Sequence, residues 1–367
     1  MINTKYKFAS VYLTKDYYPM FEGCIYENSR ANFNDINVIN VDMGSLPENF
    51  VDGKDTCSRL GIKMADEGTT SMQEGLKVAD NYLTKCNIDV DWMLCFQHDT
   101  FPLKNSFWDD LQEIMDEIDY EKVGMIGGNM FSKYDNGVAA FFYDDIVEAC
   151  YGKTRTGRGM LARDVCESPY HGWYMNLPDE YYQSQYFAVE SPYWVFFAIN
   201  RKLFNKYIEV DKNFVFELWP DDLAHQFLTH GIVNISVPKL YVCHDHKFRD
   251  SVMKINAGKL IEPRHDFCHS TMRFWSKWGF RWGTRRHHQN AIKHWGDLPE
   301  AWQDESGKFG LGGDHDWICG DNLRKQFEMT TKKILPEHAL QHKFFELDIN
   351  DGPLDLDLQT KAPVMKK

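Results

Sequence analysis

No stretch of this sequence approaches the ~20 consecutive apolar residues that a membrane-crossing helix needs. Among its longest apolar runs is Trp194-Val195-Phe196-Phe197-Ala198-Ile199. A secretory leader is also missing, because Met1-Ile2-Asn3-Thr4-Lys5-Tyr6-Lys7 runs straight into strand-like residues. The 9 cysteines contain no Cys-x-x-Cys pair, which predicts free thiols in a reducing compartment. Basic charge is in deficit: 41 Lys and Arg against 54 Asp and Glu give a net charge of −13, which argues against a nucleic-acid binder. Together these absences predict a cytoplasmic protein. Peripheral membrane contact stays open through the Trp- and Arg-rich C-terminal region. No Gly-x-Gly-x-x-Gly opens an early helix, so a dinucleotide-binding reading has no support. The glycine-rich run Gly152-Lys153-Thr154-Arg155-Thr156-Gly157 lacks both a preceding strand and a Lys-Ser/Thr after its second glycine, and is no phosphate loop.

What is present is a globular chain. With 367 residues, 43% apolar and 26% charged, it can bury a large core, organised as two units or as one domain with an appendage. Aromatic residues make up 15%, and they serve either as core packing or as flat platforms for sugar rings or bases. Phe8–Leu13, Ile36–Val41, Trp92–Phe96 and Val123–Gly128 read as strands, the third of them as a central parallel strand. Helical spacing appears over Thr69–Lys85, with Thr70 or Ser71 able to cap it, and over Phe107–Ile118. Strand and helix alternate, which predicts an α/β sheet with its ligand site at the carboxyl ends of the strands. Residues 152–176 read as a long loop, and order returns at Trp194–Ile199, Leu223–Thr229 and Ile232–Val242. The expected organisation is an α/β unit over 1–250, a mainly helical region rich in Trp, Arg and His over 251–347, and a loose tail over 348–367.

The most informative segment is Asp91-Trp92-Met93-Leu94-Cys95-Phe96-Gln97-His98-Asp99-Thr100-Phe101-Pro102. A buried strand ends there in His-Asp-Thr, which sets a carboxylate at the tip of the sheet, where ligands bind. Asp99 could hold Mg²⁺ or Mn²⁺ bridging a diphosphate, or it could simply cap a turn. Three more segments accompany it: the turn Val41-Asp42-Met43-Gly44-Ser45, the helix opening Glu67-Gly68-Thr69-Thr70-Ser71-Met72-Gln73-Glu74-Gly75, and Trp219-Pro220-Asp221-Asp222. Asp211-Lys212-Asn213-Phe214 precedes the acidic pair, Gly231 follows it, and His244 closes the next strand. Further on stands Phe274-Trp275-Ser276-Lys277-Trp278-Gly279.

In order and spacing these pieces resemble the GT-A fold glycosyltransferases, above all the large inverting family with a Val-Asp-x-Gly-Ser turn and a DXD-type motif. The resemblance covers roughly residues 8–250 and the Lys-Trp-Gly patch. It implies a Rossmann-like, open mixed sheet flanked by helices, and transfer of a sugar from a nucleoside-diphosphate sugar to a glycan or other hydroxyl acceptor. By resemblance, Asp42 contacts the nucleobase, and Gly68, Thr69 and Ser71 lie near the ribose. Asp99, with His98 beside it, binds a divalent Mn²⁺ or Mg²⁺, and His244 or His246 adds a ligand. Asp222 is the general base, with Asp221 as the alternate. From position alone, Lys247 and Arg249 could offer positive charge to the diphosphate or be solvated surface charges, and Trp194 and Trp219 could flank the acceptor or pack in the core. The chain departs from the family in Gln97-His98-Asp99, which lacks the first acid of a full DXD, and in Asp221-Asp222 where Glu-Asp is commoner. The arginine usual in the following helix is replaced by His225 and Gln226 nearby.

Rival readings are a sugar-nucleotide pyrophosphorylase and a non-catalytic carbohydrate-binding protein. The first needs a glycine-rich turn after the first strand, where this chain has Leu13-Thr14-Lys15-Asp16-Tyr17-Tyr18. A zinc site from Cys243, His244, His246, His265, Cys268 and His269 matches no standard finger spacing.

Overall fold

The computed structural model describes residues 5–65, 69–133, 185–189, 191–192, 195–215 and 218–245, together with residues 270, 273, 274, 277 and 278. Strand β1 (Phe8–Thr14) is buried along its whole length. It runs parallel to β2 (Asn37–Asp42) on one side and to β4 (Trp92–Phe96) on the other. A short β3 (Lys63–Ala65) extends the sheet beyond β2. On its far side β4 meets β8 (Phe196–Asn200) antiparallel. The strand expected to be centrally parallel therefore has one parallel and one antiparallel neighbour. Both arrangements bury both faces, so a continuous apolar run does not tell them apart.

Beyond β8 lies β6 (Val123–Lys133), antiparallel to it, and then β9 (Val233–Asp245), parallel to β6. Two short strands, β5 (Thr100–Pro102) and β7 (Phe187–Val189), each pair antiparallel with β9. The order is β3-β2-β1-β4-β8-β6-β9-β5, with β7 attached to β9. This is the open mixed α/β sheet, flanked by helices, that the sequence predicts.

One face of the sheet carries α3 (Met72–Lys85) and α6 (Trp219–Thr229). Gly75 of α3 lies so close to β1 and β2 that an added Cβ would meet Met43 Sδ at 2.6 Å. Trp219 of α6 packs on Phe197 of β8 at 5.2 Å. The opposite face is covered by α1 (Tyr18–Glu22) and α4 (Phe107–Glu117), and their rings build an aromatic core. Tyr12 stacks on Phe96 at 5.6 Å and meets Phe21 edge-on, while Phe96 touches Phe107, Trp108 and Phe196. Buried rings of this kind each contribute about 1.5–3 kcal/mol, so in this part of the chain the aromatic surplus serves the core. Helix α2 (Pro47–Leu60) packs on α1, and α5 (Arg201–Tyr207) follows β8. The five described residues beyond 250 are helical, and Phe274 and Trp278 belong to the same hydrophobic core as the sheet. The long loop expected at 152–176 and the tail from 348 lie outside the described residues.

Candidate active site

Strand direction brings the candidate residues to one edge. β1, β2, β4, β6 and β9 all point the same way, so Asp42, Asp99 and His244 leave the sheet at its carboxyl edge. Helices α3 and α6 each lead back into a strand of that set, which places their N-termini, with Ser71 and Asp221-Asp222, at the same edge.

Asp99 follows β4 directly, and His244 faces Thr100 across the β5–β9 pairing. Their side chains meet, with His244 Nε2 3.1 Å from Asp99 Oδ2, and both are buried. Neighbouring ligands on an octahedral ion with bonds of about 2.1 Å stand about 3 Å apart, so this pair fits as two adjacent ligands of a hard divalent cation. Among the described residues, no group of three or more His, Cys, Asp or Glu gathers in one place. Beside the pair His98, half-buried, stacks on Tyr17 with ring centroids 5.1 Å apart.

Asp42 closes its own turn. Its Oδ1 accepts the backbone N–H of Gly44 at 3.1 Å and of Ser45 at 3.0 Å, while Oδ2 accepts the hydroxyls of Tyr18 at 2.6 Å and Ser45 at 2.5 Å. Gly44 permits the turn because its φ is +79°. Four donors fill the acceptor sites of a carboxylate. Burial and the bond to Asp42 push the Tyr18 phenol above its usual value, so it remains a donor. Burial together with the charge of Asp42 also pushes the nearby Cys57 thiol up to about 12. Tyr18 itself rests against Gly53 of α2, where an added Cβ would lie 2.2 Å from its ring. Gly53→Ala should therefore dislodge Tyr18 and lower stability by about 1–3 kcal/mol, measured by urea unfolding.

The start of α3 is tied to the turn before α6. Ser71, expected as a cap, instead gives its hydroxyl to the backbone carbonyls of Asp211 at 3.3 Å and Phe214 at 3.2 Å. Thr69 donates to Glu74 at 2.8 Å. Gln73 accepts the N–H of Asp211 at 2.8 Å and donates both to the carbonyl of Trp219 and to Asp222.

Asp222 has no exposed surface, and four donors surround it. Lys277 Nζ, Gln73 Nε2 and Gln226 Nε2 each reach Oδ2 at 2.8 Å, and Trp278 Nε1 reaches Oδ1 at 2.8 Å. Asp221 sits one residue earlier in the first turn of α6, about 100° round the helix, where the positive end of the helix dipole favours a carboxylate. The residue before the helix, Leu218, is held at φ +59°, a conformation costing a non-glycine residue about 1–2 kcal/mol. Trp219 is buried against Phe197, so its ring is part of the core.

A second buried pair lies alongside, with Arg273 Nε 2.6 Å from Asp211 Oδ2. Burial opposes ionisation of Asp211, but Arg273, the N–H of Asn213 and Lys277 together hold its carboxyl below the usual aspartate value. A depressed folded value contributes stability at neutral pH that is lost as pH falls through it. Acidification from about pH 3.9, the unfolded value, downward should thus lower the urea midpoint, and Asp211→Asn should flatten that acid limb.

Gly68, Trp194, His246, Lys247 and Arg249, expected near the donor, the acceptor or the metal, lie outside the described residues. Tyr17, Tyr18, Gln73 and Arg273 were absent from the sequence expectation. Gln226 stands near the position where the sequence resemblance would expect an arginine, and Lys277-Trp278 belongs to the Lys-Trp-Gly patch. Among the described residues no helix is long and apolar enough to cross a membrane.

No protein-family model and no curated protein matches the chain. Among solved structures, the mannosyltransferase PcManGT from Pyrobaculum calidifontis, in complex with GDP-Man and Mn2+, is similar over 89% of this chain and 74% of its own, at 10% identity and a TM-score of 0.40. GalNAc-T7 with UDP, GalNAc and Mn2+ is similar over 94% of this chain at 10% identity and a TM-score of 0.47. This chain spans 57% of the length of that second protein.

Proposed function

We propose that this chain is a GT-A-type glycosyltransferase that moves a sugar from a nucleoside-diphosphate sugar to a hydroxyl acceptor, with inversion at the anomeric carbon. One observation carries the reading. A buried Asp99–His244 pair and the acidic first turn of α6 share the carboxyl edge of one mixed sheet. Asp42, Ser71, Asp99, the Asp221-Asp222 pair and His244, among the residues that carry the resemblance, lie toward that edge.

Inversion needs a carboxylate to take the proton of the attacking hydroxyl as its oxygen bonds to the anomeric carbon. The four bonds already made to Asp222 favour Asp221, the alternate of the sequence reading, for this task. Departure of the diphosphate needs positive charge where negative charge develops. Mn²⁺ or Mg²⁺ held by Asp99 and His244 would supply that charge. Lys247 and Arg249 are the protein's own candidates for the same duty. On the donor side, Asp42 holds the turn that presents Tyr18 and Ser45, so a nucleobase N–H would have to displace one of those hydroxyls to reach its carboxylate. Thr69 and Ser71, at the start of α3, are the candidates for the ribose, with Gly68 by resemblance alone, and His98 on Tyr17 adjoins Asp99. For the acceptor the buried ring of Trp219 leaves Trp194 as the candidate platform.

The test is release of nucleoside diphosphate from UDP-glucose, UDP-GlcNAc, UDP-GalNAc and GDP-mannose with Mn²⁺ and a panel of saccharide acceptors, the anomeric configuration of the product being read by NMR. An inverted linkage is expected. A retained linkage would remove the base from the account, and no release from any donor would remove the reaction.

A further inference from the structure

We propose that Lys277 and Trp278 are positioning residues for Asp221: by gripping Asp222 from a separate segment of the chain, they hold the strained entry to α6 in the geometry that aims the acidic pair. The proposal rests on the reading of Asp221 as base, and it adds a role that the reading does not require.

The grip is built from three directions. Gln73 reaches across from α3, Gln226 comes from the next turn of α6, and Lys277 with Trp278 enters from residues far along the chain. All the donors converge on one carboxylate, and Lys277 is buried along with it. The backbone at this point has no inherent reason to stay where it is. Leu218 sits in the left-handed region, and its carbonyl accepts the first helical bond, from the N–H of Asp222 at 3.0 Å. The next carbonyl, that of Trp219, accepts from Gln73. A strained residue persists only where its surroundings over-determine it, and such residues gather at functional sites. Here the surroundings are the Asp222 network. Releasing Lys277 and Trp278 would let the first turn of α6 relax and turn the neighbouring carboxylate away.

Packing gives the same direction. Phe274 and Trp278 cover His225 from one side, with ring centroids 5.3 Å and 5.4 Å away, so the segment also presses on the middle of α6. Arg273 binds Asp211 at the other end of the turn that leads toward Leu218. The segment therefore grips both ends of the stretch 211–222, and Asp221 lies within it.

Four full-length proteins test this: wild type, Asp221→Asn, the paired variant Asp222→Asn with Lys277→Met, and Trp278→Phe. The paired variant removes both charges together, so neither is left buried alone. Trp278→Phe keeps the charge pair and most of the ring, and it folds even if the paired variant does not. Hydrogen exchange is followed over residues 214–229, and turnover is measured with the donors above. The expected result is exchange about tenfold faster in the first turn of α6, with the strands of β1 and β4 unchanged. Turnover should fall about tenfold or more in the paired variant and severalfold in Trp278→Phe, with the donor KM held. Unchanged exchange in both variants would overturn the grip. Faster exchange with wild-type turnover would overturn the positioning role. Wild-type turnover in Asp221→Asn would instead overturn the base assignment, and an inactive wild type would overturn glycosyl transfer, leaving exchange alone to judge the grip.

Discussion

Asp221→Asn is expected to lower sugar transfer by about 10²- to 10⁴-fold while leaving donor binding intact, since general-base catalysis contributes on that scale. Asp222 is the base that the sequence resemblance implies, yet it accepts four hydrogen bonds, one from a lysine buried with it. A carboxylate so engaged serves the fold. Asp221 stands in the same helical turn, and an amide in its place keeps the shape while losing the basicity. The expected KM for the donor is that of the wild type, because the substitution touches only proton transfer. If Asp222→Asn were to abolish turnover in a protein with native stability while Asp221→Asn did not, the two roles would have to be exchanged.

Lys277→Met carries the largest expected effect on stability. Removing one partner of a buried ion pair leaves the other charge uncompensated, which costs about 3–5 kcal/mol. Asp222 and Lys277 expose 0% and 2% of their side chains, so water offers no relief. The loss read by urea unfolding should be much larger than for Lys5, whose pair with Asp109 is exposed, because surface pairs contribute about 0–1 kcal/mol. Adding Asp222→Asn to Lys277→Met should recover most of the stability, because the stranded charge is then gone. A paired variant no more stable than Lys277→Met would mean that the hydrogen bonds, and not the charge, dominate.

Much of the sheet was legible. β1 and β4 are continuous or nearly continuous apolar runs, β2 carries Val38, Ile39 and Val41 between polar residues, and α3 and α4 show clean helical spacing, so burial wrote these elements into the sequence. Helix α2 left no such mark: it buries only Gly53, Thr56 and Cys57, and a helix without an apolar stripe has no period to detect. β3 and β5 are three residues each, too short for alternation to appear. β6 was expected to stop at the Gly127-Gly128 pair. It continues to Lys133 because β9 pairs alongside through a register shift between Gly127 and Asn129, and a Cβ on Gly128 would come within 2.8 Å of the Leu240 carbonyl.

In the candidate site, the position of Asp99 was legible because a buried apolar run ends just before it and sets a carboxylate at the tip of the sheet. His244 was legible only through its matching position on the last strand. The network around Asp222 was not. Lys277 lies 55 residues from its partner, and a lysine in a stretch rich in Trp and Arg reads as surface charge until the fold brings it inside. The saturation of Asp42 was hidden for a related reason: Tyr18 precedes it by 24 residues, in a stretch with no strand or helix signal of its own.

Asp99 and His244 are proposed above as a metal-dependent diphosphate site. The most direct test of that assignment is the thermal shift of wild type, Asp99→Ala and His244→Ala with UDP or GDP, each with and without Mn²⁺. Wild type should be stabilised by one diphosphate when Mn²⁺ is present, by about 2.7 kcal/mol at a hundredfold excess over Kd, and both variants should lose that metal-dependent part. Equal stabilisation of all three proteins, or a wild-type shift indifferent to Mn²⁺, would contradict it.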